Sequence, residues 1–230
     1  MDHLSLEEID VDGAIREGME EVSGDTRMSF LRKGAMAGGA ALSGGAILSA
    51  LVPGAAMAKT RGGAPPSSFG AGDIGILNFA LTLEYLESTF YNEGANNNVS
   101  HGDRRLQRLV ATIQADENAH VRLLKSALGS KAAKKPNFNF GKAVRDRKTF
   151  ALTSYALENT GVHAYLGQAP NIKDPKILLT AASIVTVEAR HSGAIGLYLG
   201  KGIAPSGPLD TGLSASKILA IVKSTGFIKG

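Results

Sequence analysis

The sequence predicts an all-α protein: an antiparallel four-helix bundle of two helical hairpins joined by a long crossover, followed by a short C-terminal helix. Three observations predict it. Apolar residues after Ala71 recur at three- and four-residue spacing instead of alternating, as they do on helices with one buried face. Four such stretches are marked off by glycine, proline and asparagine. The first and last of the three connections are short enough for hairpins, and the middle one is long enough to travel the length of a helix.

The first helix is expected from about Asp73, a candidate N-cap, to Tyr91. Leu77, Ala80, Leu81, Glu84, Ser88 and Tyr91 lie along one face, and Gly94 with the asparagines up to Asn98 ends it. The second runs from near Asp103 to Leu128, with Val110, Ile113, Glu117, His120 and Leu124 facing inward and Gly129 as C-cap. Its length is about 39 Å. The third spans about Ala143 to Leu166, with Leu157, Glu158 and Tyr165 inward, and the fourth about Asp174 to Leu199, with Ala181, Ile184, Glu188, His191 and Ile195 inward and Gly200 closing it. The segments Gly94 to Gly102 and Gly167 to Lys173 suit antiparallel hairpins. Ser130 to Lys142 reaches roughly 43 Å when extended, which matches a helix length and makes it the crossover. Beyond Gly200, a Gly/Pro loop leads to an amphipathic helix near Ser214 to Ser224, expected to pack on the bundle as a lid or interaction surface.

A chain of 230 residues suits one domain and a tail. Its 43% hydrophobic and 20% charged residues point neither to disorder nor to a polytopic membrane protein. The net charge of +4 is unevenly spread: Met1 to Ala58 carries nine acidic and four basic residues, the remainder 12 acidic and 21 basic. The basic residues are scattered and lack interleaved aromatic rings, so a solvated basic surface is expected rather than a nucleic-acid site. With no cysteine, thiolate metal sites and disulfides are excluded, and any metal must take oxygen and imidazole ligands.

Residues 1–58 read as an N-terminal extension and export signal. A basic patch (Arg27, Arg32, Lys33) precedes an uncharged Gly/Ala-rich segment, Pro53 and the small-residue site Ala56-Met57-Ala58, which places cleavage after Ala58. Thr26 to Arg32 resembles a twin-arginine signal in its Phe-Leu-basic portion, but Met28 stands where the second arginine belongs. The general secretory route and an uncleaved N-terminal anchor are the alternatives, and a membrane is expected as a partner only through this segment. Residues 59–71 read as a Gly/Pro/Ser-rich linker, 72–200 as the bundle and 201–230 as the tail. The expected location is extracytoplasmic.

The inward stripe of every helix carries a glutamate, followed in the second and fourth by a histidine three residues on. Residues three apart share a helical face, so Glu117 with His120, and Glu188 with His191, each aim a carboxylate and an imidazole at one point. Glu84 and Glu158 complete the set. Buried together without cations, four carboxylates repel one another or take up protons. Two divalent ions balance them, and oxygen-plus-imidazole ligation suits iron or manganese. The known ligand pattern of di-metal carboxylate bundles is the same: one Glu from each of two helices and Glu-x-x-His from each of the other two. The halves also repeat, since Glu84 precedes Tyr91, and Glu158 precedes Tyr165, by seven residues. The lone Glu and the Glu-x-x-His Glu are 33 apart in one half and 30 in the other, as in a duplicated hairpin.

The strings ILNFALTLEYLESTFYNEG, DENAHVRLL and VEARHSGAIGLYLG resemble the ferritin-like superfamily of bacterioferritins and rubrerythrins, over roughly Ile74 to Gly200. The chain is more closely similar to secreted ferritin-like proteins that include plant desiccation-related proteins. That resemblance implies a ferritin-like bundle in which Glu84, Glu117, His120, Glu158, Glu188 and His191 bind two iron or manganese ions. It implies redox chemistry with oxygen or peroxide such as ferrous iron oxidation. Manganese catalase-like activity is one alternative, and a non-enzymatic stress- or desiccation-protective protein with a structural metal site is another. Among single residues, Glu87 is the rival of Glu84 as ligand. Asp116 is either a partner for a ligand histidine or an exposed acid. Tyr91 and Tyr165 either relay electrons or pack the core. His101 reads as a loop residue, and His163 lies off the ligand stripe.

Overall fold

The computed structural model describes residues 63–229, so the expected export signal and its cleavage point lie outside the described residues. The bundle consists of α1 (Gly72–Asn96), α2 (Arg104–Leu128), α3 (Arg147–Gln168) and α4 (Pro175–Tyr198). A short helix, α5 (Ala215–Thr225), follows, and two-residue strands β1 (Asn137–Phe138) and β2 (Ile228–Lys229) pair antiparallel. Every residue assigned to an inward stripe from periodicity is buried, the six candidate ligands included. Among the described residues, no helix is long and apolar enough to cross a membrane.

Three of the four bundle helices start on side-chain caps that satisfy otherwise unpaired backbone N–H groups: Asp103 accepts from Leu106 N, Asp146 from Thr149 N and Asp174 from Lys176 N. Asp73, the expected cap of the first helix, acts differently. It sits inside α1, and its carboxylate accepts from Lys173 N and Asp174 N, tying the start of α4 to the start of α1. Gly129 closes α2 with φ +55°, as its C-cap role requires.

Two boundaries differ from expectation. The first helix continues through Gly94 to Asn96, because Gly94 is there for packing: a Cβ at this position would stand 2.2 Å from Cε2 of Phe150. The third helix begins at Arg147, since Ala143 and Val144 belong to a preceding 3₁₀ turn, Gly141–Val144, that buries both.

The crossover runs the length of the bundle. At one end Asn78, near the start of α1, donates to Lys131 O and accepts from Ala133 N. At the other end Phe140 packs at 5.4 Å on Phe90, which stacks on Phe150 at 4.6 Å. Phe227 reaches Phe140 from beyond α5 at 5.1 Å, beside the β1–β2 pair. The C-terminal helix buries Ala215, Ile218 and Val222 in the same cluster, so it seals this end of the core. The described part of the expected linker also lies on the bundle: Phe69 meets Phe79 edge-on at 5.8 Å, and Phe69 O accepts from Asn78.

An apolar cluster lies on each side of the Glu-x-x-His of α2 and α4, in opposite order along the two antiparallel helices. Leu106, Val110, Ile113 and Ile195 belong to one, and Leu124, Leu128, Ala181 and Ile184 to the other. The polar residues therefore occupy a layer between two dry ones.

Candidate metal centre

In that layer the six predicted residues converge. Glu84, Glu117, His120 and Glu188 each bring one ligand atom within 4.8 Å of the others, and so do Glu117, Glu158, Glu188 and His191. The two sets share Glu117 and Glu188. Glu84 and His120 are thus terminal on one side and Glu158 and His191 on the other, with the shared carboxylates between them. Two cation sites sharing Glu117 and Glu188 would fit this arrangement.

The four glutamates have no exposed surface. His120 Nδ1 lies 3.2 Å from Glu84 Oε2, 3.5 Å from Glu117 Oε2 and 3.2 Å from Glu188 Oε1. His191 Nδ1 lies 3.1 Å from both Glu117 Oε1 and Glu158 Oε2. Of these contacts only that of His191 with Glu158 is aligned as a hydrogen bond, and Glu84 Oε2, both oxygens of Glu117 and of Glu188, and His120 Nδ1 have no hydrogen-bond partner. Buried oxygens and nitrogens of this kind are costly unless something pairs with them. Two divalent ions fit them in number, in charge and in donor type.

Protons and imidazolium charge balance the carboxylates otherwise. Burial, followed by the neighbouring Glu84 carboxylate, raises the Glu117 carboxyl to about 7, and burial with Glu117 and Glu84 carries Glu188 well above the usual range. Burial alone would lower both histidines, but the surrounding carboxylates outweigh it, raising His191 to about 11 and His120 further still.

The repeated tyrosines are the outer supports, and they cross over. Tyr91 of α1 donates to Glu158 Oε1 of α3 at 2.5 Å, while Tyr165 of α3 donates to Glu84 Oε1 of α1 at 2.5 Å. Burial, reinforced by the carboxylate each one faces, raises both phenols well above their ordinary range and keeps them protonated donors. Ser154 Oγ in turn donates to the Tyr91 hydroxyl at 2.9 Å. Asp116 Oδ2 stands 3.1 Å from His191 Nε2, reaching across from α2 to α4. That contact turns Nδ1 of His191 toward the carboxylates.

Glu84, not Glu87, stands within ligand reach of His120. Glu87 is nonetheless buried, a fifth carboxyl whose Oε2 has no partner. Burial, then Glu188, pushes it well above the usual range, which favours its neutral form. Beside it, Gly161 makes room for Glu188: a Cβ there would stand 2.7 Å from Glu188 Oε2, while Glu87 Oε1 at 3.5 Å would be in ordinary contact. Spacing within α4 could not have shown this, because the space is made on α3. His101 and His163 lie elsewhere, and His163 Nδ1 contacts Thr211 O at 2.5 Å, holding the tail.

An open cavity of about 820 Å³ between α2 and α4 leads from solvent to His120 and His191. Arg104, Arg105, Arg108 and Arg190 also line it.

The profile of the Ferritin-like domain family matches residues 72–201. The chain is also similar to a protein of Nesocodon mauritianus named Ferritin-like catalase Nec2, with 24% identity over an alignment covering 55% of this chain and 53% of that relative. The chain thus spans about half the length of that relative. With its helical architecture, its buried Glu/His cluster fitting a di-metal carboxylate centre and the family match over most of the bundle, the chain belongs to the ferritin-like family.

Proposed function

We propose that Glu84, Glu117, His120, Glu158, Glu188 and His191 hold two iron or manganese ions and that the centre performs redox chemistry on peroxide or oxygen. The observation that carries this reading is the pair of ligand sets sharing Glu117 and Glu188. When bound, two such ions would supply the redox chemistry toward a small oxidant. The chain's own residues do the rest. Four carboxylates neutralise the ions, Tyr91 and Tyr165 fix Glu158 and Glu84, Asp116 orients His191, and the apolar layers exclude water from either side.

Peroxide is favoured over ferrous ion as substrate for two reasons. Four arginines stand around the open approach and repel a divalent cation arriving by that route. The relative from Nesocodon mauritianus is named a catalase. The test is metal analysis of the purified protein, followed by oxygen-electrode assays with hydrogen peroxide and, separately, with ferrous ion under air. Oxygen release from peroxide supports a catalase-type reaction, and oxygen uptake with ferrous ion supports iron oxidation. Two bound metals without turnover would leave a structural metal bundle.

The extracytoplasmic location remains part of the proposal, supported by the basic patch, the uncharged segment and Ala56-Met57-Ala58. N-terminal sequencing of protein from its native host should find Lys59 first, whereas Met1 or Asp2 would refute cleavage.

A further inference from the structure

The cavity between α2 and α4 is far larger than peroxide or oxygen needs. A water molecule's share of liquid volume is about 30 Å³, and a diatomic oxidant needs little more. The cavity offers about 820 Å³, in the range that takes a whole small organic molecule. Its walls are apolar, formed by Leu109 and Ile113 of α2 and by Val187 and Ala194 of α4.

The charges around it have one sign. Arg104, Arg105, Arg108 and Arg190 all line the cavity, are exposed, and none makes an ion pair among the described residues. Arg105 lies 5.9 Å over the ring of Tyr198. The acid of the lining, Asp116, is already engaged with His191 Nε2. Guanidinium groups match a carboxylate two bonds at a time, so an unpaired set beside an apolar trough recognises an anionic head on an apolar body.

We propose that the α2–α4 cavity is a binding site for an amphipathic organic anion, a carboxylate on an aromatic or aliphatic body, seated with its apolar part toward His120 and His191 and its head on the arginines. Such a ligand lies over the approach to the metal centre and makes that approach selective. Its arginines and apolar walls lie outside the ligand sets, which it meets only at His120 and His191, so anion affinity is read separately from metal content.

Calorimetric titration of the purified full chain with naphthalene-2-carboxylate, and with 2-naphthalenemethanol as the neutral molecule of similar shape, tests the proposal. Saturable one-to-one binding is expected, with the carboxylate at least about tenfold tighter and weakened by added salt. The double variant Arg108→Ala/Arg190→Ala should reduce the carboxylate to the level of the alcohol, whereas Arg122→Ala, an exposed α2 residue outside the cavity, should change nothing. Because the chain has no tryptophan, Thr112→Trp places a single indole in the trough, and its fluorescence should be quenched as the carboxylate binds. Equal affinity for the two probes, retention of carboxylate affinity in the double variant, absence of saturable binding, or sedimentation showing the face buried in a dimer would each overturn it. None of those results touches the metal stoichiometry, which tests the di-metal reading separately.

Discussion

Replacing Gly161 by alanine adds one methyl group to α3 and touches no candidate ligand chemically. The new Cβ would stand 2.7 Å from Glu188 Oε2, so that oxygen must retreat by about 0.7 Å to reach ordinary contact. In the metal-free bundle two effects oppose one another. Alanine is favoured over glycine inside a helix by about 0.8 to 1.0 kcal/mol, and the contact is with the far end of a side chain that can turn. Apo stability should therefore change by less than about 1 kcal/mol, a melting shift of only a few degrees. Metal binding has no such latitude, because ligand distances tolerate only about 0.2 Å and Glu188 serves both ligand sets. A loss of about 10- to 100-fold in affinity is expected, which removes about 1.4 to 2.7 kcal/mol of metal-induced stabilisation. Scanning calorimetry with and without manganese or anaerobic ferrous ion, with metal per chain measured alongside, gives the answer. If Gly161→Ala takes up two ions and its melting temperature rises with metal as much as the wild type's, Glu188 is not the shared ligand proposed here.

The ligand sets also predict a split between terminal and shared positions: Glu84→Gln should weaken one ion more than the other, while Glu117→Gln should weaken both, as read by metal titration. Tyr91→Phe removes a donor to Glu158 and the acceptor of Ser154, so it should destabilise the apoprotein by about 1 to 3 kcal/mol in urea unfolding. Tyr165→Phe removes only the donor to Glu84 and should cost less; the reverse order would contradict the hydrogen-bond scheme. The pH dependence has opposite signs in the two forms. The Glu117 carboxyl is raised to about 7, so the folded apoprotein binds more protons than the unfolded chain and gains stability as pH falls through 7 toward the ordinary carboxyl range. His191, raised to about 11, acts in the same sense, its contribution being full below the ordinary imidazole range and lost as pH climbs toward 11. Metal must displace those protons, so the metal-induced rise in melting temperature should shrink between about pH 7.5 and 5.5. An apoprotein that grows more stable with rising pH over that range would show that the carboxyls are not protonated there.

The inward stripes were legible because a 3.6-residue period decides burial wherever a helix packs on several sides, and Glu84, Glu117, Glu158 and Glu188 all fell on those stripes. Helix ends were less legible, since glycine has two meanings. Gly94 looked like a stop and is instead the flat surface against which Phe150 lies. Asp73 looked like a cap and serves a different helix. The seat of Glu188 Oε2 depends on the missing side chain of Gly161, a contact between helices that one helix's sequence cannot record. Phe138 and Phe140 were hidden in a connecting segment, where no period exists to mark them as buried or half-buried.

The crossed supports of Tyr91 and Tyr165, together with the shared Glu117 and Glu188, bear on the order of assembly. Each ligand set draws residues from both hairpins, so a hairpin folded alone offers only half a cage. Local contacts favour hairpins forming early, and their docking comes afterwards. Capture of the ions is then a completion signal that a half-built chain cannot give. The same logic runs backwards: an ion held by both hairpins would lose its full ligand set only when they part, so a slow component of exchange with a free isotope would time the breathing of the whole bundle rather than the chemistry of any one ligand.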